Sequence, residues 1–409
     1  MRKPSVLIIF LTVFIDLVGF GIVIPLLPLY GKAFQANWWE LTLVMCIFSV
    51  MQFIFSPLLG RLSDRVGRRP ILLLSTAASA VSYAGFAYGS TLEGNTALLV
   101  IFISRAVAGL CGANITVAQA YIADISKPEE RSKKMGYIGM AFGLGFVFGP
   151  LIGAAARTWF GMAGPGWAAA TFCAVNFVLA FFILPESRKP NSEYAPQRPH
   201  LDQWFHTLRL PKVGLLIDVF FLATFCFTCF ETTIGYLICQ KFFIRPESEQ
   251  AGQWQSYLFA YAGVVGALVQ GGATGRLVKV MGEPKLIAMN LFLVAISLAI
   301  LPFFTGWTIL LILLALLAIG SGLMRPPIFG MISNLTSANE QGVTSGVAQS
   351  MGALARIFGP MTLIPLYYYK PALPYLICSV LAFFTGLIAW HRLSKNYTPT
   401  RVEVEAPPA

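Results

Sequence analysis

The chain has 409 residues, 56% of them hydrophobic and only 11% charged, where a soluble domain carries about 25% charged residues, so the composition places it in lipid. A net charge of +11 would suggest nucleic acid in a soluble protein, but these lysines and arginines fall in short loops between apolar runs, where they set topology. Nucleic acid is therefore not an expected partner, and the lipid bilayer is.

The chain begins Met1-Arg2-Lys3 and turns apolar from Val6 to Tyr30. That run is too long for a signal peptide, contains Asp16 and lacks a small-residue cleavage site, so it reads as a first span that stays attached. Further apolar segments fall near 42–60, 71–89, 97–122, 134–156 and 166–185. A polar, proline-rich stretch from Glu186 to Val213 follows. In it Leu201, Trp204, Phe205 and Leu208 recur at helical spacing, as in a short helix lying in the interface plane. A second set of apolar segments falls near 214–240, 254–275, 285–305, 308–332, 343–368 and 371–390. Each approaches the roughly 20 residues that a helical span requires.

Counted over alternate loops, one side of the membrane holds twenty-one Lys and Arg residues, and the other holds only Lys32, Arg157, Lys241, Arg245 and Lys370. The positive side is cytoplasmic, which places both termini there. The expected organisation is an N-terminal six-helix bundle over 1–185, a cytoplasmic linker over 186–213, a C-terminal six-helix bundle over 214–391 and a cytoplasmic tail over 392–409. The seven cysteines all lie in apolar segments and read as small packers, the Cys226-x-x-Cys229 pair included. The three histidines fall in loops. No metal site and no cofactor are expected.

The halves repeat each other. Gly60-Arg61-Leu62-x-Asp64-x-x-Gly67 recurs as Gly275-Arg276-Leu277-x-Lys279-x-x-Gly282, and Gly112, Gly136 and Gly149-Pro150 recur as Gly322, Gly346 and Gly359-Pro360. A parallel six-plus-six repeat about an axis along the membrane normal accounts for this pattern.

Charge inside the spans is the most informative signal, because a charge at the bilayer centre costs about 2.5–3.5 kcal/mol on insertion scales and normally faces a cavity or a partner. The candidates are Asp16, Arg105, Asp218, Glu231, Arg325 and Arg356. Asp16 and Glu231 occupy equivalent first spans of the two halves. Removal from water opposes a charged carboxylate and a nearby arginine favours it, a balance suited to a group that must load and release a proton. Either carboxylate could instead bind a cationic group on a substrate, or form a static pair. Arg105 and Arg356 are candidates for tuning these carboxylates. Arg325, beside Pro326-Pro327, is a candidate substrate contact or backbone clamp, and Asp218 reads as snorkelling.

The run Gly60-Arg61-Leu62-Ser63-Asp64-Arg65-Val66-Gly67-Arg68-Arg69-Pro70 resembles the signature loop between spans two and three of the major facilitator superfamily. Gly145-x-x-x-Gly149-Pro150-x-x-Gly153 in span five resembles the motif of its antiporter branch. Asp16-x-x-Gly19-x-Gly21-x-x-x-Pro25-x-x-Pro28 in span one and Arg105 with Gly109 and Gly112 in span four resemble the twelve-span drug/proton antiporters, nearest to the tetracycline-efflux subgroup. Tyr121-Ile122-Ala123-Asp124 fits the same group, and the resemblance covers the whole chain. It implies an all-α membrane protein with the major facilitator fold, twelve transmembrane helices forming two pseudo-symmetric six-helix bundles.

The implied function is proton-coupled export, by alternating access, of a small amphipathic or lipophilic organic compound, from a monomer in the inner membrane of a bacterium. The alternative is import or facilitated diffusion of a metabolite such as a sugar or organic acid. The family associates the span-four arginine, here Arg105, with proton transfer. In the signature loop Gly60, Arg61, Asp64, Gly67 and Arg68, with Asp124 as a partner, are expected to form a cytoplasmic latch between the halves. Gly145, Gly149 and Gly153 share one face, which lets another helix approach, and Pro150 permits a bend. The chain lacks the acid in span nine and the histidine in span eight that tetracycline exporters carry, with Asn290 as the only strongly polar group of span nine, so the resemblance does not extend to tetracycline as substrate. An enzyme is not expected: there is no nucleophile–base pair, metal cluster or nucleotide loop.

Overall fold

In hydrocarbon a backbone can satisfy its polar groups only internally, and the apolar runs of this chain form helices. The structure, a computed structural model, describes residues 6–23, 26, 27, 30, 34, 35, 37–188, 200–244, 249–337 and 339–394. Pro25 and Pro28 of the span-one motif, residues 189–199 of the linker and the tail from 395 lie outside the described residues. In chain order the helices are α1 (Val6–Val23), α2 (Trp38–Val66), α3 (Arg68–Gly89), α4 (Gly94–Gly112), α5 (Asn114–Asp124), α6 (Pro128–Phe160) and α7 (Gly164–Ile183). They continue as α8 (His200–Arg209), α9 (Pro211–Lys241), α10 (Glu249–Leu268), α11 (Thr274–Met281), α12 (Glu283–Ile300), α13 (Trp307–Leu335), α14 (Gln341–Tyr369) and α15 (Leu373–Ser394). A five-residue π-helical turn, Val269–Ala273, joins α10 to α11.

Eleven spans among the described residues are long and apolar enough to cross a membrane, with α4–α5 and α10–α11 each counting as one. The remaining long helix, α14, has 29 residues but is rich in Gly, Ser, Thr and Gln through its first half. It falls short on composition rather than length, because that half packs on α2 instead of facing lipid: a Cβ at Gly346 would meet the backbone of Pro57.

Several helices outrun their apolar cores because their ends are capped. At the start of α2 Asn37 and Glu40 form a reciprocal capping box, Asn37 Oδ1 accepting from the Glu40 amide at 3.0 Å and Glu40 Oε2 from the Asn37 amide at 2.8 Å. Pro128 opens α6, with Glu129 and Glu130 in the first turn where the helix dipole favours acids. The same overrun corrects the placement of the histidines. His200 opens α8, His206 lies within it and His391 lies within α15, so none of the three is in a loop. The expected interfacial helix is α8, with Trp204 and Leu208 packed on the core and Phe205 exposed.

Among the described residues the buried apolar side chains form three clusters. One draws on both sequence halves, joining Leu17, Ile71, Tyr121 and Met135 to Ile217, Phe220, Ile328 and Val347. A second belongs to α9–α15 alone and a third to α1–α7 alone. The halves are thus welded at one end and separate at the other.

Candidate functional site

At the welded end the signature loop is a set of interlocked contacts. Asp64, 5% exposed, accepts from the amides of Gly342 at 3.0 Å and Val343 at 2.9 Å, the first turn of α14 in the other half. An acid at a helix N-terminus meets both free amides and the positive end of the dipole. Arg68, fully buried, holds Asp64 through Nη1 at 2.6 Å and Asp124 through Nε at 3.0 Å. Gly60 lies where a Cβ would collide with the Gly342 carbonyl, so the two helices touch backbone to backbone. Gly67 has φ +106°, and a Cβ there would press on Glu186. Glu186 in turn accepts from the amides of Arg68 at 2.9 Å and Arg69 at 3.0 Å, capping α3. Arg61 is half-buried near the end of α2.

The pseudo-symmetric junction uses different chemistry. Ser132 of α6 donates to Glu283 of α12 at 2.5 Å, and Arg131 donates to the Ser333 carbonyl at 2.8 Å. Gly136 of α6 lies against the backbone of Gln270, as its counterpart Gly346 lies against Pro57.

The span-five glycines face α1. A Cβ at Gly145 would meet Leu17, one at Gly149 the backbone of Gly21, and one at Gly153 the Ile22 carbonyl. Pro150 sits in the same helix one residue on, beside the cleft. The stripe therefore lets α6 lie directly on the helix that carries Asp16.

Between the separated ends is a cavity of about 1990 Å³. Its lining reaches Thr42 at the start of α2 and Arg157 and Thr158 at the end of α6, the termini opposite the welded end. Asp16, Arg105, Glu231, Arg325 and Arg356 all line it, so the structure brings together the five charged residues read from the sequence as functional. Asp218 is exposed and stands outside it.

Asp16 accepts a hydrogen bond from Asn114 Nδ2, and the Cys173 thiol lies 3.8 Å from its other oxygen. Its partners are neutral. Arg105, 2% exposed, forms no ion pair with it among the described residues; its guanidinium instead lies 4.8 Å from the centre of the Phe48 ring. The glycines following Arg105 explain this placement. A Cβ at Gly109 would strike the Phe48 backbone and one at Gly112 its ring, so both glycines make room for the aromatic that carries the arginine.

In the other half Glu231 lies near Arg325 and Arg356 and interacts electrostatically with both, without closing an ion pair among the described residues. Arg325 rests against Phe142 of α6 and Phe220 of α9, 5.2 Å from each ring centre. Arg356 donates to Gln52 Oε1 of α2 at 3.2 Å, and Gln52 donates to the Gly112 carbonyl at 3.1 Å. Both arginines thus touch the opposite half.

Sequence reasoning missed Glu186, Gln52, Asn114 and Gln270. A polar residue within an apolar run was the available signal for the last three. Gln270 lies in the π-helical turn, lines the cavity and sits against Gly139 and Gly322, and such turns recur at functional sites. The second half contributes aromatic residues to the lining, Phe227, Phe230, Tyr236, Tyr257 and Phe259, while Phe220, Phe221, Phe225 and Tyr261 lie outside it.

A family model described as Major Facilitator Superfamily matches residues 9–360 and 248–407. A class E tetracycline resistance protein of Escherichia coli is 32% identical over 373 residues, 89% of this chain and 88% of that one. Multidrug resistance protein 2 of Bacillus subtilis is 27% identical over 365 residues, covering 88% of each chain. Among solved structures, that of the human organic anion transporter MFSD10 (TETRAN) superposes with a TM-score of 0.81 at 26% identity, over 95% of this chain and 100% of that one.

Proposed function

The chain belongs to the major facilitator superfamily, and from that premise we propose that it exports a small amphipathic or lipophilic organic compound in exchange for protons, by alternating access. It is a multi-pass integral membrane protein, a transporter rather than an enzyme, and its relatives include tetracycline and multidrug resistance proteins. The proton-exchange half of this reading rests on the site.

The observation that carries it is Asp16, a membrane-embedded carboxylate in the cavity wall whose hydrogen-bond partners are the neutral Asn114 and Cys173. A carboxylate so held can take up a proton without breaking an ion pair, and its energy then depends on which face of the membrane the cavity meets. In this reading the welded end is cytoplasmic, both termini lie on that side, and the structure is the outward-facing state. Asp64, Arg68 and Asp124 hold it shut below, and α6 shifts along α1 on its glycine face when the state changes.

The test is proteoliposomes with a pH dye inside, exposed to charged and neutral aromatic compounds. Compound-dependent proton flux is expected in the wild type and absent in Asp16→Asn. Compound movement that persists unchanged when the pH gradient is collapsed would make the protein a facilitator instead.

A further inference from the structure

The charged residues of the cavity wall do not balance. Among the described residues two carboxylates, Asp16 and Glu231, face four guanidiniums, Arg105, Arg157, Arg325 and Arg356. In a low-dielectric cleft an uncompensated cation is costly and an anion that enters is held strongly. The imbalance is sharpest in the second half, where Arg325 and Arg356 share one carboxylate, Glu231, and neither closes an ion pair with it among the described residues.

Arg325 has no hydrogen-bond acceptor among the described residues, and its guanidinium is supported on two aromatic rings, Phe142 and Phe220. A guanidinium stacked on rings keeps its in-plane donors free, which is the arrangement that recognises a carboxylate, sulfonate or phosphonate bidentately. Arg356 spends one donor on Gln52 and retains the others. The second half of the same lining also carries aromatic rings, Phe227 and Phe259 among them.

We propose that Arg325 and Arg356 form the binding site for the anionic group of an aromatic substrate, and that Glu231 is the internal counter-ion that this group displaces. The inference deepens the transport reading and rests on it. Because Arg325 touches Phe142 and Arg356 touches Gln52, both in the first half, an anion held by the two arginines bears on both halves at once. Glu231 competes for the same two cations, so it sets the affinity of the site and lets it empty.

The test measures binding alone, by fluorescence polarisation of protein in nanodiscs, and so stands or falls separately from proton flux. Fluorescein and rhodamine 123 share one xanthene frame and carry opposite charge. The wild type is expected to bind fluorescein at least about tenfold more tightly than rhodamine 123, and Arg325→Gln or Arg356→Gln to remove about tenfold of the fluorescein affinity. Glu231→Gln is expected to tighten fluorescein roughly threefold or more, a gain that misfolding cannot produce. Arg325→Lys, which keeps the charge and loses the fork, should fall between wild type and Gln. Rhodamine 123 binding as tightly as fluorescein, neither dye binding, or a Glu231→Gln variant that loses fluorescein would overturn the proposal. Selective fluorescein binding without compound-driven proton flux would instead remove the antiport reading and leave the anion site standing.

Discussion

The carboxylate of Asp64 accepts a hydrogen bond at 3.0 Å from the amide of Gly342, 278 residues further along the chain and in the other half of the molecule. Hydrogen bonds to a charged group contribute about 1.5–3 kcal/mol each, and Asp64 makes a second to Val343. Asp64→Asn keeps one accepting oxygen and loses the charge that holds Arg68. Initial transport rates are expected to fall about tenfold or more, while membrane insertion and yield stay at wild-type level. A variant that transports normally would remove Asp64 from the latch.

Gly60→Ala tests the same junction by shape. Its Cβ would overlap the Gly342 carbonyl, a backbone atom that cannot rotate away. The welded end must then part and the population shifts towards the opposite state. Cys46 lines the cavity and is half-exposed, so its alkylation by a membrane-impermeant maleimide is expected to slow severalfold in Gly60→Ala. Unchanged labelling would mean that the junction does not control access.

Asp16→Asn preserves shape and removes the titratable group. Compound-driven proton flux should drop to the level of protein-free vesicles, with fluorescein affinity changed by no more than about threefold, since Asp16 and the Arg325–Arg356 pair sit in opposite halves. Retained proton flux would move the coupling role to Glu231.

Arg105→Lys is not a conservative change. The guanidinium over Phe48 is worth about 0.5–2 kcal/mol, and an ammonium is more strongly hydrated and lacks the flat face. Transport should fall about tenfold and the melting temperature of the purified protein should drop. Wild-type values for both would show that charge alone suffices at this position.

Gly149→Ala is expected to destabilise by about 1–3 kcal/mol, because its Cβ would meet the Gly21 backbone and force α6 off α1. Gly272→Ala is the matched control: a Cβ there meets nothing within 4 Å. Equal melting temperatures for the two variants would contradict the close approach.

The spans were legible because hydrocarbon thickness imposes long apolar runs, and the charges that line the cavity were legible because each is expensive in such a run. Asp16, Arg105, Glu231, Arg325 and Arg356 could all be named from sequence for that reason. What they touch could not. The principal partners of Asp64 in the other half are backbone amides, which leave no side-chain signature, and Glu186 caps α3 from beyond the end of α7. The sequence makes Arg105 a candidate for tuning a carboxylate such as Asp16, yet two glycines admit Phe48 and the arginine lies on that ring instead. Packing that depends on an absent side chain is the hardest kind to read forward.

In the proposed cycle the surplus of guanidiniums over carboxylates in the cavity wall would make transport sensitive to voltage. An inside-negative membrane potential draws net positive wall charge towards cytoplasmic exposure, with about 2.3 kcal/mol for each full charge carried across 100 mV. With its carboxylates ionised the empty cavity has an excess of two positive charges among the described residues, so under the proposed export cycle the potential would pull it to face inward, where cargo is loaded. A singly charged anion would cancel half of that excess and so weaken the pull that opposes turning outward. The potential would then favour return of the empty carrier more strongly than it opposes the loaded one.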